Sequence, residues 1–213
     1  SRTYSGYMPV LNRREFWWET VRRAVEYNAS LAPTPREEAE KLYDNIYNLR
    51  QFLSGRTLWV GGTPVAEKYP MANYNCAFTV INDFVAYHDL FYLLMVGSGV
   101  GVRVLKSDAD QLPPVRTDLK ILHKSYDPVP AGERLEYTNL TFQRDTATLA
   151  IGDSKEGWAQ ALTRYFELIT NREYEGVTPL VVNYDSIRPK GERLKTFGGT
   201  ASGSGSMMTM LDK

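Results

Sequence analysis

Between Asn75 and Leu105 the chain reads as one strand–helix–strand unit, and this unit narrows the possible architectures more than any other stretch. Asn75-Cys76-Ala77-Phe78-Thr79-Val80-Ile81 is apolar almost without interruption after Cys76, the pattern of a buried strand covered on both faces. Residues 84–96 predict a very apolar helix. Gly97-Ser98-Gly99-Val100-Gly101 then turns the chain into a second strand, Val100 to Leu105. Two strands joined through a helix over about 30 residues are the mark of a parallel sheet, because such a crossover returns the chain to the same edge in the same direction. The expected fold class is therefore α/β.

The flanks supply helices and loops. Residues 13–29 predict a helix, with Phe16, Trp17, Val21, Ala24, Val25 and Tyr27 on one side. Residues 35–53 predict another. Thr34-Pro35-Arg36-Glu37 offers a cap, a proline at the first helical position and a capping-box glutamate. Ala39, Leu42, Ile46, Leu49 and Leu53 form its stripe, and Gly55 stops it. Arg56 to Pro64 reads as a short extended run ending in a turn. Residues 106–150, with Pro113, Pro114, Pro128 and Pro130, read as short strands and loops, Leu135 to Phe142 being the best strand. A helix over 154–170 opens at Asp153-Ser154-Lys155-Glu156, read as another capping box. Thr178 to Tyr184 reads as a strand, and Met207 to Leu211 begins a helix. Between them, Arg193 to Ser206 is rich in Gly, Ser and Thr. It is either a flexible linker or, given Phe197 and Met207 at the edges of its glycine run, a packed loop.

Composition excludes several classes of function. With 43% apolar residues in 213, the chain can bury a sizeable core and is neither disordered nor fibrous. Its 25 basic and 25 acidic residues balance and no Lys/Arg run stands out, so neither nucleic acid nor an anionic membrane is an expected partner. Apolar runs fall far short of a spanning helix, and Ser1-Arg2-Thr3-Tyr4 does not begin a signal peptide. Cys76 is the only cysteine, which excludes an intrachain disulfide framework and fits a reducing cytoplasm. With His88 and His123 it makes a poor zinc set, so no metal site is expected. A lone cysteine reads either as an inert small hydrophobe or as a reactive thiol. Two glycine-rich segments made to accept a ligand, 97–101 and Phe197-Gly198-Gly199-Thr200-Ala201-Ser202-Gly203, favour the second reading.

Several short stretches share a resemblance in number, order and spacing. They are Arg2-Thr3-Tyr4-Ser5, Arg13-Arg14-Glu15-Phe16-Trp17, Ser54-Gly55-Arg56-Thr57-Leu58-Trp59, Asn75-Cys76-Ala77-Phe78, Gly97-Ser98-Gly99-Val100-Gly101, Lys155-Glu156-Gly157-Trp158 and Ile187-Arg188-Pro189-Lys190-Gly191 with 197–203. Together they resemble the amino-terminal part of a ribonucleotide reductase catalytic subunit, closest to the monomeric, adenosylcobalamin-dependent (class II) ribonucleoside-triphosphate reductases.

The resemblance implies a helical region over 1–55, the first strands of a ten-stranded α/β reductase barrel over 56–105, an insertion over 106–190 bearing on an effector site, and a return into the barrel over 191–213. The insertion is shorter than the family's. The implied chemistry is radical: a thiyl abstracts hydrogen from the ribose, and a cysteine pair supplies the electrons and ends as a disulfide. Cys76 matches the first cysteine of that pair. Thr63 and Asn75 lie where the family binds substrate phosphate or ribose, with Thr63 equally readable as a turn residue before Pro64. Gly97, Gly99 and Gly101 would admit the ribose close to the backbone, or merely make a tight turn. Gly199, Thr200 and Ser202 would lie near substrate phosphates, where small residues suit anion binding by backbone N–H groups. Asp83 matches an acidic contact to a deoxynucleotide effector, and equally an N-cap of the helix after it. The implied cofactor is adenosylcobalamin, the alternative being a separate metal-radical subunit in trans. The implied partners are a ribonucleotide substrate, a deoxynucleotide effector, a thioredoxin-like dithiol reductant and the remaining half of the barrel, with a homodimer a further option. Thiol reduction needs two sulfurs and hydrogen abstraction a third, so one cysteine points to a fragment. The rival from another class is a non-catalytic nucleotide-binding piece.

Overall fold

A computed structural model describes residues 3–194 and 199–212. The chain divides into two compact units, Ser1–Ala77 with Val96–Gly99, and Phe78–Met95 with Val100–Lys213.

In the first unit, β1 (Tyr7–Met8) and β2 (Arg13–Arg14) pair antiparallel. Helix α1 (Trp17–Ser30) starts where the Glu19 carboxylate turns back to accept the Phe16 N–H at 2.7 Å. Residues 13–16, expected as helix, therefore form a strand and a cap. Helix α2 (Arg36–Tyr47) packs on α1 around Val21, Ala24, Val25, Ile46 and Leu58. It ends well before Leu53, because Leu49 turns left-handed at φ 60° and the Asn48 amide folds back on Asp44. Its expected N-terminal cap is also not made, since the Thr34 hydroxyl donates to the Ala32 carbonyl.

Residues 55–60, read as extended, are helix α3 (Gly55–Val60). Ser54 caps it by accepting the Arg56 N–H, so Ser54-Gly55 opens a helix where Gly55 had been read as closing one. Burial of Leu58 and Val60 outweighs the β-preference of the run. Helix α4 (Pro64–Lys68) and a 3₁₀ turn at Pro70–Asn73 follow. Arg23 on α1 ties this unit together: it pairs with Glu15 at 2.7 Å and donates to the carbonyls of Leu58, at 3.1 Å, and Gly61.

The strand–helix–strand unit is present as β3 (Cys76–Val80), α5 (Val85–Met95) and β4 (Gly99–Arg103). The two strands are hydrogen-bonded neighbours. Bonds from Gly99 N–H to the Asn75 carbonyl (2.8 Å) and from Ile81 N–H to the Arg103 carbonyl (3.0 Å) advance along both strands together, as in a parallel pair. The expected cover on both faces is not seen. Cys76 is exposed, Phe78 is 66% exposed, and Val102, Val104 and Leu105 face outward as well. Among the described residues β3 has β4 alone beside it in its sheet.

The second unit continues through α6 (Lys106–Ala109), β5 (Lys120–His123), β6 (Asn139–Gln143), β7 (Thr146–Ala150), α7 (Lys155–Thr170), β8 (Pro179–Asn183) and α8 (Gly205–Leu211). Its sheet runs β5-β8-β7-β6, with β8 parallel to both β5 and β7 and β6 antiparallel to β7. The strand expected at 135–142 is β6, shifted toward the β6–β7 hairpin, and β5 and β7 are further short strands within the stretch 106–150, as expected there without placed bounds. Helix α7, capped by Ser154 accepting the Gly157 N–H at 2.8 Å, is the crossover between β7 and β8. Along those strands alternate residues turn inward, and Ala147, Leu149, Leu180 and Val182 meet Ala161 and Leu168 of α7 and Met207 and Leu211 of α8. Helix α7 also packs on α5: Phe84 stacks on Phe166 at 4.4 Å and His88 bonds Thr163 at 3.0 Å. None of the helices among the described residues is long and apolar enough to cross a membrane.

Candidate functional site

The site in the first unit is built from two approach segments laid side by side. Tyr74 and Asn75 lead into β3, and Gly97 to Gly99 lead into β4. The Ser98 hydroxyl, buried, donates to the Tyr74 carbonyl at 2.8 Å, and the Gly99 N–H donates to the Asn75 carbonyl at 2.8 Å. These two bonds bring the expected residues Asn75, Gly97 and Gly99 together, with Cys76 next along the strand. Cys76 is an exposed free thiol. The expectation of a buried cysteine is thereby corrected: as the first residue of a strand with one neighbour, it faces outward and is open to a reaction partner.

The two glycines of the turn differ in why they are glycine. Gly97 has φ 88°, which L side chains rarely adopt, and a Cβ there would lie 2.9 Å from Arg56 Nη1. At Gly99 a Cβ would meet only the Asn75 carbonyl at 3.7 Å, an ordinary contact. The fold demands the first glycine and not the second.

Arg56 and Ser54, in the sequence only two members of the stretch Ser54 to Trp59, hold this place from outside. The Arg56 guanidinium donates to the Gly97 carbonyl at 2.7 Å and, at a longer 3.4 Å, to that of Val96. Ser54 Oγ accepts from Asn75 Nδ2 at 3.0 Å. Thr63 sits half-buried in a turn, where its hydroxyl donates to the Val60 carbonyl at 2.6 Å and it precedes Pro64 of α4. Its turn role is thus visible.

The other expected residues belong to the second unit. Asp83 accepts the Ala86 N–H at 2.8 Å, the capping bond at the start of α5, and is exposed. Gly101 lies exposed in β4. Gly199 and Thr200 lie on the returning arm of a hairpin-like loop, in which Leu194 N–H bonds the Gly199 carbonyl, Ala201 N–H bonds the Glu192 carbonyl, and Arg193 bridges Thr200. Ser202 follows, its hydroxyl 3.3 Å from the Gly203 carbonyl. Phe197 and Gly198 lie outside the described residues, as does Arg2.

The outgoing arm of that loop is anchored by ion pairs the sequence did not reveal. Arg134 forks onto Glu192 at 2.7 and 2.8 Å, and Arg188 Nε donates to both oxygens of Asp153, at 2.9 and 3.0 Å. Burial opposes ionisation of Asp185, but its partner Lys124 and the Asp127 N–H outweigh it and hold the carboxyl below its usual range. Burial pushes the Tyr184 phenol up, so it stays neutral against His123. Among the described residues no three His, Cys, Asp or Glu side chains cluster as a metal site. An open cleft of about 380 Å³ between α1 and α2, bordered by Asn28, Glu38, Lys41 and Asn45, touches none of the expected residues.

Two family models match this chain: the ribonucleotide reductase alpha domain over residues 1–63, and the insertion domain of B12-dependent ribonucleotide reductase over residues 121–213. Adenosylcobalamin-dependent ribonucleoside-triphosphate reductases are similar along 99% of its length. That of Lacticaseibacillus paracasei is 34% identical over 255 residues, that of Lactobacillus helveticus 32% over 254, and that of Lactobacillus leichmannii 30% over 249. The crystal structure of a B12-dependent (class II) ribonucleotide reductase superposes with a TM-score of 0.80 at 30% identity, over 99% of this chain and 35% of that one. The chain spans about a third of the length of the curated relatives it matches, 34% in each of these three. An alpha-domain match, a B12-type insertion-domain match and similarity along 99% of the chain to one set of enzymes agree: from end to end the chain is similar to the class II ribonucleotide reductases.

Proposed function

We propose that these residues are part of the catalytic subunit of a reductase that converts ribonucleotides to 2′-deoxyribonucleotides, and that Cys76 is one of its two reducing thiols. The observation that carries this is the exposed Cys76 thiol set beside the Gly97–Gly99 turn. In the proposed step Cys76 and a second cysteine outside these residues give up two electrons and two protons and become a disulfide. The ribose loses its 2′-hydroxyl as water, and a dithiol reductant restores the pair. Hydrogen abstraction belongs to a third sulfur, also elsewhere. Adenosylcobalamin is the proposed radical source, favoured over a separate metal-radical subunit by the B12-type insertion-domain match. No residue here is assigned to the corrin; Cys76 acts at the reducing end.

Asn75, Gly97, Gly99 and Gly101 are proposed to border the ribose, Thr63, Gly199, Thr200 and Ser202 the phosphates, and Asp83 an effector deoxynucleotide. The strands β3 and β4 would be the first of a ten-stranded barrel, whose further strands would cover Phe78. The sheet β5-β8-β7-β6 would be the insertion. Its expected limit at 190 moves outward in this reading. Met207 and Leu211 share the core of that sheet, and the insertion-domain match continues to 213. The cytoplasm is the proposed compartment.

The test is Cys76→Ser in the full-length enzyme. Multiple turnover with a dithiol reductant, and the single round supported by prereduced enzyme, should both vanish, while nucleotide affinity stays within about threefold, under about 0.7 kcal/mol. Turnover at the wild-type rate would sink the assignment. A requirement for added adenosylcobalamin in the unsubstituted enzyme separates the two radical sources.

A further inference from the structure

We infer that Ser54 and Arg56 form a clamp that positions the Cys76 thiol and the glycine turn, with Arg56 as the positioning residue; this rests on the reading of Cys76 as a reducing thiol. A single helical turn reaches both segments that lead into the site. Ser54 Oγ, while capping α3, also accepts the Asn75 side-chain amide at 3.0 Å, one residue before Cys76. Two residues on, Arg56 reaches across 41 positions of sequence to the Gly97 carbonyl at 2.7 Å. Its other Nη faces the Val96 carbonyl. The start of α3 is itself fastened, because the space beside Gly55 is filled by the Tyr4 ring, whose Cε1 would lie 3.2 Å from a Cβ at Gly55.

The geometry at Gly97 shows that the guanidinium and the turn fit one another. The left-handed φ of Gly97 aims its carbonyl at Arg56, and the missing Cβ leaves the space that Nη1 approaches. A planar fork that stays charged at every working pH holds two N–H groups toward two successive carbonyls in a fixed geometry, which an ammonium, a point charge on a flexible stem, does not. Beyond this anchor, the Ser98–Tyr74 and Gly99–Asn75 bonds set the spacing of the two strand ends. The clamp therefore fixes both ends of the short path on which Cys76 stands. A thiol that must meet a ribose carbon and then a second sulfur depends on such fixed placement, since loss of about an ångström in a reacting position is felt mainly in rate. Arg56 touches neither the substrate nor the thiol in this account, and acts through the turn.

The experiment is backbone hydrogen exchange and steady-state kinetics on full-length enzyme carrying Arg56→Met or Arg56→Lys. Arg56→Met should raise exchange of the Gly99 amide about tenfold or more, equivalent to about 1.4 kcal/mol of easier local opening. In the same variant kcat should fall about tenfold, with KM within about twofold. Arg56→Lys should be intermediate in both. Unchanged Gly99 exchange overturns the clamp, and a raised KM with unaltered kcat makes Arg56 a substrate contact instead. If Arg56→Met does not fold, Ser54→Ala is read by the same two measurements, and exchange that rises evenly through the first unit, without excess at 97–99, counts against the inference. Failure of the thiol reading appears separately, as turnover in Cys76→Ser, whereas the Gly99 exchange measurement does not depend on that chemistry.

Discussion

Replacing Arg23 by Met tests the account of the first unit most sharply, because one side chain closes four connections. Arg23 and Glu15 are 15% and 10% exposed and meet through two bonds, Nε to Oε1 at 2.7 Å and Nη2 to Oε2 at 2.9 Å. The same guanidinium satisfies the Leu58 and Gly61 carbonyls and, at 3.3 Å, that of Tyr4. Met keeps the stem packing and removes every donor. Breaking one side of a largely buried pair leaves the other charge uncompensated, at a cost of about 3–5 kcal/mol. The lower end applies, since the Gly6 N–H and the Thr20 hydroxyl still reach Glu15. The assay is urea unfolding followed by tryptophan emission, which reports mainly on this unit through Trp17, Trp18 and Trp59.

The pH dependence carries a second signature. Burial raises the Glu15 pKa, but Arg23, the Gly6 N–H and Thr20 outweigh it and hold the carboxyl below its ordinary value of 4.5. A carboxylate with a depressed folded pKa stabilises above the unfolded value, and loses that contribution as pH falls through the folded one. Wild-type stability should therefore decline below about pH 4.5. Arg23→Met removes the largest cause that lowers the Glu15 pKa, so the carboxyl should rise from its depressed value and the loss of stability on the acid side should shrink. Arg23→Met/Glu15→Gln should recover about 1–3 kcal/mol of the loss. A single-variant cost below about 1 kcal/mol, or parallel pH profiles for the two proteins, would refute the reasoning.

Gly97→Ala should destabilise the first unit by about 1 kcal/mol or more through its left-handed backbone and the Arg56 contact, whereas Gly99→Ala should unfold as wild type yet weaken substrate binding about tenfold; equal binding in calorimetry would leave Gly99 as a plain turn residue. Asp83→Asn should keep stability within about 0.5 kcal/mol, because Asn caps about as well as Asp, while lowering deoxynucleotide effector affinity; an unchanged titration would leave Asp83 as the α5 cap alone.

Local rules carried those parts of the protein whose cause is local. The apolar runs and glycine turn between Asn75 and Leu105 made β3, α5 and β4 legible. Ser154 and the apolar side at Trp158, Ala161, Leu162 and Phe166 did the same for α7, because caps and helical periodicity act within a few residues. Ser54-Gly55 shows where this ends: the same pair can close one helix or open the next, and the burial of Leu58 decided for the second. Lys120–His123 was not legible as a separate strand, because it has four residues and its parallel partner in β8 lies far along the chain. The exposure of Cys76 depends on what packs over that face of β3, which no residue near Cys76 encodes. The sequence could nominate Cys76, Asn75 and the glycines as chemistry. Only tertiary structure could join Asn75 to Gly99 and bring Arg56 to the Gly97 carbonyl, since a bond spanning 41 residues has no local periodicity to announce it.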